Sequence, residues 1–202
     1  MSGSETIARA KQTLRERIRD ELRKMTPTRR VELSAQACGR LQAEPAWSAA
    51  ESILFYAPMP EEVDIWPLAA EAQKAGKRVV LPRYNPDDKR YVACDVTDVR
   101  CDLNKGRFGI PEPGAHCLKI SSNRLDLILV PGLAFDFDGH RLGRGKGFYD
   151  QLLSVLQGPT CGVAFDQQMV GHIPTEPHDI RLSCILTPTR WHCVREPRAV
   201  LK

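Results

Sequence analysis

Two hydrophobic periods divide the chain into elements. From residue 5 to about residue 25, Ile7, Ala10, Leu14, Ile18, Leu22 and Met25 recur at spacings of three and four. That spacing predicts an amphipathic helix, and the interleaved Glu and Arg between them suit its solvated face. Thr26-Pro27 reads as an N-cap followed by proline at the first helical position. A second helix is predicted from there to about Gln42, with Val31, Ala35, Cys38 and Leu41 facing inward. The period then shortens. Ser52–Tyr56 (SILFY) and Arg78–Leu81 (RVVL) read as strands, with a helix between them through Leu68, Ala72 and Lys74. Gly76 stands where a helix C-cap glycine belongs. Tyr91–Cys94 reads as a short edge strand, and residues 95–124, rich in Gly, Pro, Ser and Asn, as irregular chain. Thr160–Ala164 and Cys184–Leu186 complete the set of strands. The order α, α, β, α, β, β, loop, β, α, β, β predicts an α/β fold: a doubly wound, mostly parallel sheet flanked by helices, in a single domain with an N-terminal helical pair.

The most informative stretch is Leu125–Asp150, LDLILVPGLAFDFDGHRLGRGKGFYD. Its continuous apolar run Leu125–Val130 predicts a strand covered on both faces. Pro131-Gly132 ends it, and a loop carries Asp136, Asp138, His140, Arg141 and Arg144. Gly143-Arg144-Gly145-Lys146-Gly147 then leads into an apolar-periodic run with Phe148, Leu152, Leu153 and Leu156. A strand, a basic glycine-rich loop and a helix start together suit an anion. Arg141, Arg144 and Lys146 would supply charged donors, and Asp150 in the first helical turn could hold a divalent cation against a phosphate. The pattern is neither a P-loop nor a dinucleotide fingerprint. Its other reading is a tight connection that needs glycines for packing.

Two further groups carry the same ambiguity. Lys11 and Arg15 lie one turn apart on the first helix and either reach a bound anion or belong to its solvated face. Glu61, Glu62 and Asp64 follow a strand, where open α/β sheets bind ligands, but acids opening a helix also complement its dipole.

Composition narrows the class. The 202 residues hold 42% apolar and 27% charged side chains, ordinary for a globular chain with a sizeable core. Net charge is +4, which suits an anionic small molecule as well as nucleic acid. Aromatics make up only 6%, a weak basis for single-strand RNA recognition through the basic N-terminal helix. No apolar run is long enough to span a membrane, and the amino-terminal segment lacks the apolar core of a signal peptide. The expectation is a cytoplasmic protein without a membrane or nucleic-acid partner. Seven cysteines without a C-x-x-C pair read as free thiols. His116-Cys117 and His192-Cys193 do not match structural zinc spacing.

Pro131–Asp150 (PGLAFDFDGHRLGRGKGFYD) strongly resembles the 5-formyltetrahydrofolate cyclo-ligase family, also called methenyltetrahydrofolate synthetase. Lys11–Arg15, the Glu62 region, Phe108–Pro113 and His178-Asp179 agree with it in the same order, so the resemblance spans about residues 8 to 187. It implies an ATP- and magnesium-dependent closure of 5-formyltetrahydrofolate to 5,10-methenyltetrahydrofolate, with release of ADP and phosphate. A kinase or ATPase acting on another small acceptor through the same loop is the alternative. The resemblance implies ATP contacts at Lys11, Gln12, Thr13, Leu14 and Arg15 and along Arg141, Leu142, Gly143, Arg144, Gly145, Lys146, Gly147, Phe148 and Tyr149. Lys146 and Arg144 are the implied catalytic donors. Ala57, Glu62 and Arg144 to Phe148 are the implied folate contacts, with Tyr149 also towards that side. Asp150 and Asp179 are the implied magnesium acids, and a monomer is the implied state. Arg83 stands where an active-site basic residue is expected. Ile65, Ser183 and Pro188 depart from the family pattern, and the tail with Arg195, Arg198 and Lys202 matches nothing in it.

Overall fold

A computed structural model describes residues 3–177 and 179–194; the side chains of Ser4 and Phe108 are excluded from it. His178, Arg195, Arg198 and Lys202 lie outside the described residues. The chain runs α1 (Gly3–Arg23), α2 (Pro27–Gln42), α3 (Pro45–Ala49), β1 (Ser52–Leu54), α4 (Trp66–Lys74), β2 (Arg78–Asn85) and β3 (Arg90–Val96). It continues through β4 (Leu103–Lys105), β5 (Pro111–Pro113), β6 (Leu127–Pro131), β7 (Ala134–Asp136), β8 (Arg141–Leu142) and α5 (Phe148–Leu153). It ends with β9 (Thr160–Val163), β10 (Met169–Val170), β11 (Cys184–Leu186) and β12 (Trp191–Cys193).

Seven strands form one sheet in the order β12-β11-β9-β6-β1-β2-β3. The five inner strands are parallel; β3 and β12 close the edges antiparallel. The α/β class and the mostly parallel sheet agree with the sequence pattern. Side chains alternate across that sheet even where the sequence is uniformly apolar. Ile53, Val79, Leu81, Leu127, Leu129 and Val163 join one buried cluster, together with Ile18, Leu22, Leu41 and Leu68 of the helices. Leu54, Val80, Ile128, Val130 and Ile185 join a second, under Leu152 and Leu153 of α5. Sequence order runs outward in both directions from the boundary between β1 and β6, which makes that boundary the switch point at whose carboxyl edge α/β sheets bind ligands.

Several boundaries differ from the periodic reading. Thr26 does cap α2, accepting the Arg29 N–H at 3.2 Å, and Gly76 does turn left-handed after α4, at φ +74°. The inward face of α2 is Leu33, Ser34, Ala37, Cys38 and Leu41, whereas Val31 is 70% exposed and Ala35 is exposed. The segment 95–124, expected to be irregular, pairs β4 with β5, and the loop after Pro131 contains the hairpin β7–β8. Asp136, fully buried, holds that hairpin: its carboxylate takes the N–H groups of Asp138, His140 and Ile173. Pairing with β3 extends β2 four residues past Leu81. All seven cysteines are free. Among the described residues no helix is long and apolar enough to cross a membrane.

Candidate active site

A cavity of about 640 Å³ opens at the carboxyl edge of the sheet. Ala57 past β1, Pro82 in β2 and Pro131-Gly132 at the end of β6 form its floor. The glycine loop, α1 and the β4–β5 arm enclose it, so segments far apart in sequence meet there.

The loop is shaped by backbone conformation. Gly145 and Gly147 take φ of +97° and +66°, values that an L side chain rarely adopts. Gly143 does not; its place is set by Arg141, whose Nη1 lies 3.0 Å from where a Cβ would stand. The helix that follows has only six residues, so its dipole contributes less than the sequence pattern suggests. The site's positive character comes instead from side chains.

Lys11, buried against the cavity, donates to Asp179 at 2.6 Å and to Glu176 at 2.9 Å. Burial alone would lower the lysine pKa, but the two carboxylates outweigh it and the pKa is raised, so Lys11 is a fixed cation. Arg15 donates its Nε–H to the Gly143 carbonyl at 3.0 Å, which ties α1 to the glycine loop. Arg141 is buried and pairs with Asp150 at 2.6 Å. Its Nε is buried without a partner, a position that a bound anion or water would satisfy.

Glu62 faces them from the segment after β1. One of its oxygens takes the Met59 N–H at 3.0 Å; the other takes Arg144 through Nη2 at 3.0 Å and Nε at 3.2 Å. Arg144 also reaches Glu61 at 3.3 Å. Burial raises the Glu62 pKa, with Met59 and Arg144 opposing that shift. The dipole reading of this acidic group fails, because α4 begins at Trp66 with no acid in its first turn. Asp64 instead accepts the Trp66 N–H at 3.0 Å.

The opposite wall is aromatic. Phe148 meets Tyr91 edge-on at 5.3 Å and Tyr84 at 6.1 Å. Glu112, buried, accepts from the Tyr91 hydroxyl and from the Tyr84 and Arg107 amides. Burial pushes the Tyr91 hydroxyl up to about 12, so it stays a donor at neutral pH.

Most sequence-named residues converge here: Lys11, Arg15, Ala57, Glu62, every residue from Arg141 to Asp150, and Asp179. Gln12, Thr13 and Leu14 do not line the cavity. Gln12 is exposed and bonds to Glu16, Thr13 is exposed, and Leu14 packs on the core, because only every fourth residue of α1 points to one side. Arg83 does not line it either; its guanidinium holds the carbonyls of Gly114 and Cys117 at 2.6 and 2.9 Å. Ile65 is buried in the core, Ser183 bonds to Thr160, and the Pro188 carbonyl accepts from Arg40, so none of the three departures touches the cavity. Sequence reasoning missed Arg19, Tyr91, Glu112 and Glu176. The four-residue spacing Lys11, Arg15, Arg19 could have found the first; the others depend on how distant segments pack.

Outside the cavity, Asp102 joins His116 and Cys117, with ligand atoms within 4.8 Å of one another. One Asp102 oxygen already takes three donors, and burial raises the Cys117 thiol, which disfavours the thiolate a metal needs.

The model of the 5-formyltetrahydrofolate cyclo-ligase family matches residues 7–188. A 5-formyltetrahydrofolate cyclo-ligase of Escherichia coli K12 is 33% identical over 177 residues, which are 86% of this chain and 97% of the relative. The mouse protein of the same name is 30% identical over 192 residues, 90% and 95% of the two chains. The solved structure of Aquifex aeolicus 5,10-methenyltetrahydrofolate synthetase superposes with a TM-score of 0.83 at 31% identity, covering 95% of this chain and 96% of that one.

Proposed function

The chain belongs to the 5-formyltetrahydrofolate cyclo-ligase family, and from that premise we propose that it closes 5-formyltetrahydrofolate to 5,10-methenyltetrahydrofolate at the cost of ATP. A formamide carbon is a poor electrophile. Attack of the formyl oxygen on the γ-phosphorus forms a C–O–P linkage and expels ADP. N10 then attacks the activated carbon, phosphate leaves with the former formyl oxygen, and N10 loses its proton.

Such a reaction is mainly a task of positioning and neutralising charge. Lys11, Arg15, Arg141 and Lys146 surround the volume where a triphosphate would lie, with the Gly143–Gly147 backbone beside it. Glu62 keeps acceptor capacity beyond Met59 and Arg144, which suits the ring donors of a pterin. Phe148 and Tyr149 wall the same side. Asp150, Asp179 and Glu176 supply the hard oxygen donors magnesium prefers, already balanced by Arg141 and Lys11. When bound, magnesium would neutralise charge on the phosphates. The same reading puts the reaction in the cytoplasm, in a monomer.

The observation that carries the proposal is Arg144. It belongs to the glycine loop yet grips Glu62, so one guanidinium spans the phosphate side and the folate side of one cavity. The test is to mix protein with 5-formyltetrahydrofolate, ATP and magnesium and follow the absorbance of the methenyl product. A rise that needs all three is expected. ADP release without folate, or only with another acceptor, would assign the loop to a different substrate.

A further inference from the structure

We propose that Cys193 is an oxidation site: hydrogen peroxide converts it and the facing Cys184 into a disulfide that staples the edge strand β12 to β11. The strand register brings the pair together. Cys184 stands opposite Cys193 in the antiparallel pair β11–β12, and opposite Cys161 of β9 on its other side. The phase of the ladder puts the first pair within bonding reach. Val194 donates its N–H to the Ser183 carbonyl at 2.9 Å, and Thr187 and Arg190 exchange N–H donors at 2.9 and 3.4 Å. Hydrogen-bonded rows alternate along an antiparallel pair, so Cys184 and Cys193 occupy a non-hydrogen-bonded row between them. In such a row the Cα atoms stand about 4.5 Å apart and both side chains project to one face. Disulfides bridge Cα atoms roughly 4.4–6.8 Å apart.

Exposure separates the three thiols. Cys193 is exposed on the outermost strand, where a dissolved oxidant reaches it, while Cys184 and Cys161 are buried. Burial also pushes the Cys161 thiol up, which withholds the reactive thiolate. None of the three lines the cavity. The chemistry runs in two steps. The Cys193 thiolate attacks one peroxide oxygen, the O–O bond breaks, and Cys193 becomes a sulfenic acid as water leaves. The Cys184 sulfur then attacks the Cys193 sulfur, the S–O bond breaks, and a second water carries off the hydroxyl with the Cys184 proton. Two thiols lose two electrons and the peroxide gains them. Cys184 need only turn about χ1: its Sγ rests 3.6 Å from the Thr160 carbonyl, a weak thiol contact. The backbone is already in place, because the two residues face each other before oxidation.

The experiment treats the full chain with hydrogen peroxide, blocks the remaining thiols and maps tryptic peptides by mass. Cleavage after Arg181 and Arg190 separates the two cysteines, so the bond shows as peptides 182–190 and 191–195 joined with the loss of two hydrogens. That link is expected, and dithiothreitol should reverse it. The oxidised parent should melt on the order of 5 °C above its reduced form, because the bond closes a loop in the unfolded chain. In Cys193→Ser the link and the rise should both disappear. In Cys184→Ala the sulfenic acid has no partner, so Cys193 should advance to sulfinic and sulfonic acid several-fold further than in the parent. The peptide map and Cys193→Ser decide the matter even if truncating the buried Cys184 costs the fold. Joining of Cys184 to Cys161 instead, or of Cys193 to a second chain, would overturn the proposal. So would a parent in which Cys193 stays reduced, or is over-oxidised without the link.

Discussion

On one wall of the cavity, Lys11, Arg141 and Arg144 each meet carboxylates at 2.6 to 3.3 Å. On the other, Tyr91 and Phe148 meet edge-on at 5.3 Å, with Tyr84 packed against both at 5.5 and 6.1 Å from behind the lining. The charged wall is held by pairs in which neither member could be left alone in a partly dry site. A bound polyanion must share or replace those partners, so small changes there alter what the site can neutralise. The aromatic wall presents shape and apolar area, which a ligand gains by contact alone, so its effects should be smaller and confined to one substrate. Within the charged wall, Arg144 and Glu62 join the glycine loop to the segment after β1.

The sharpest way to break this contrast is Arg144→Ala. It removes a donor from the glycine loop and leaves Glu62 buried without its cation, so turnover should fall on the order of 100- to 1,000-fold, as for loss of one preorganised donor. Turnover within threefold of the parent would remove Arg144 from the mechanism. Asp150→Asn should follow. It unpairs Arg141 and removes one oxygen donor, and the magnesium concentration for half-maximal rate should rise by about tenfold or more. An unchanged magnesium titration would leave Asp150 with a purely structural pairing. On the aromatic wall, Phe148→Leu should raise the KM for folate by up to about tenfold, the worth of its ring contacts, while the KM for ATP stays put. A rise in both would mean that the walls are not separate.

The smallest effect is on stability. Burial raises the Glu62 pKa, so the folded chain prefers the protonated form and binds more protons than the unfolded chain above the ordinary carboxylate range. Stability therefore falls as pH rises through that window and stays lower at neutral pH. Glu62→Gln should raise the melting temperature at pH 7, and this gain should vanish when the pH is taken below the ordinary carboxylate range. A gain of the same size at both pH values would trace to packing rather than charge.

The sequence by itself determined the sheet's inner strands, the caps at Thr26 and Gly76, and the basic glycine loop. Each is a local property: a hydrophobic period, a side chain that satisfies its own backbone, a glycine that tolerates positive φ. The one-turn spacing of Lys11 and Arg15 left them between a ligand face and a solvated one; the family resemblance named them, and carried Gln12, Thr13 and Leu14 with them. Only the tertiary structure decided which partner each charge would have. Glu176 and Asp179 meet Lys11 across more than 160 positions, and Arg144 meets Glu62 across 82. Glu112 ties its own arm to β2 and β3. No local pattern encodes those pairings, because they exist only once the sheet's switch point has brought the segments to a common edge.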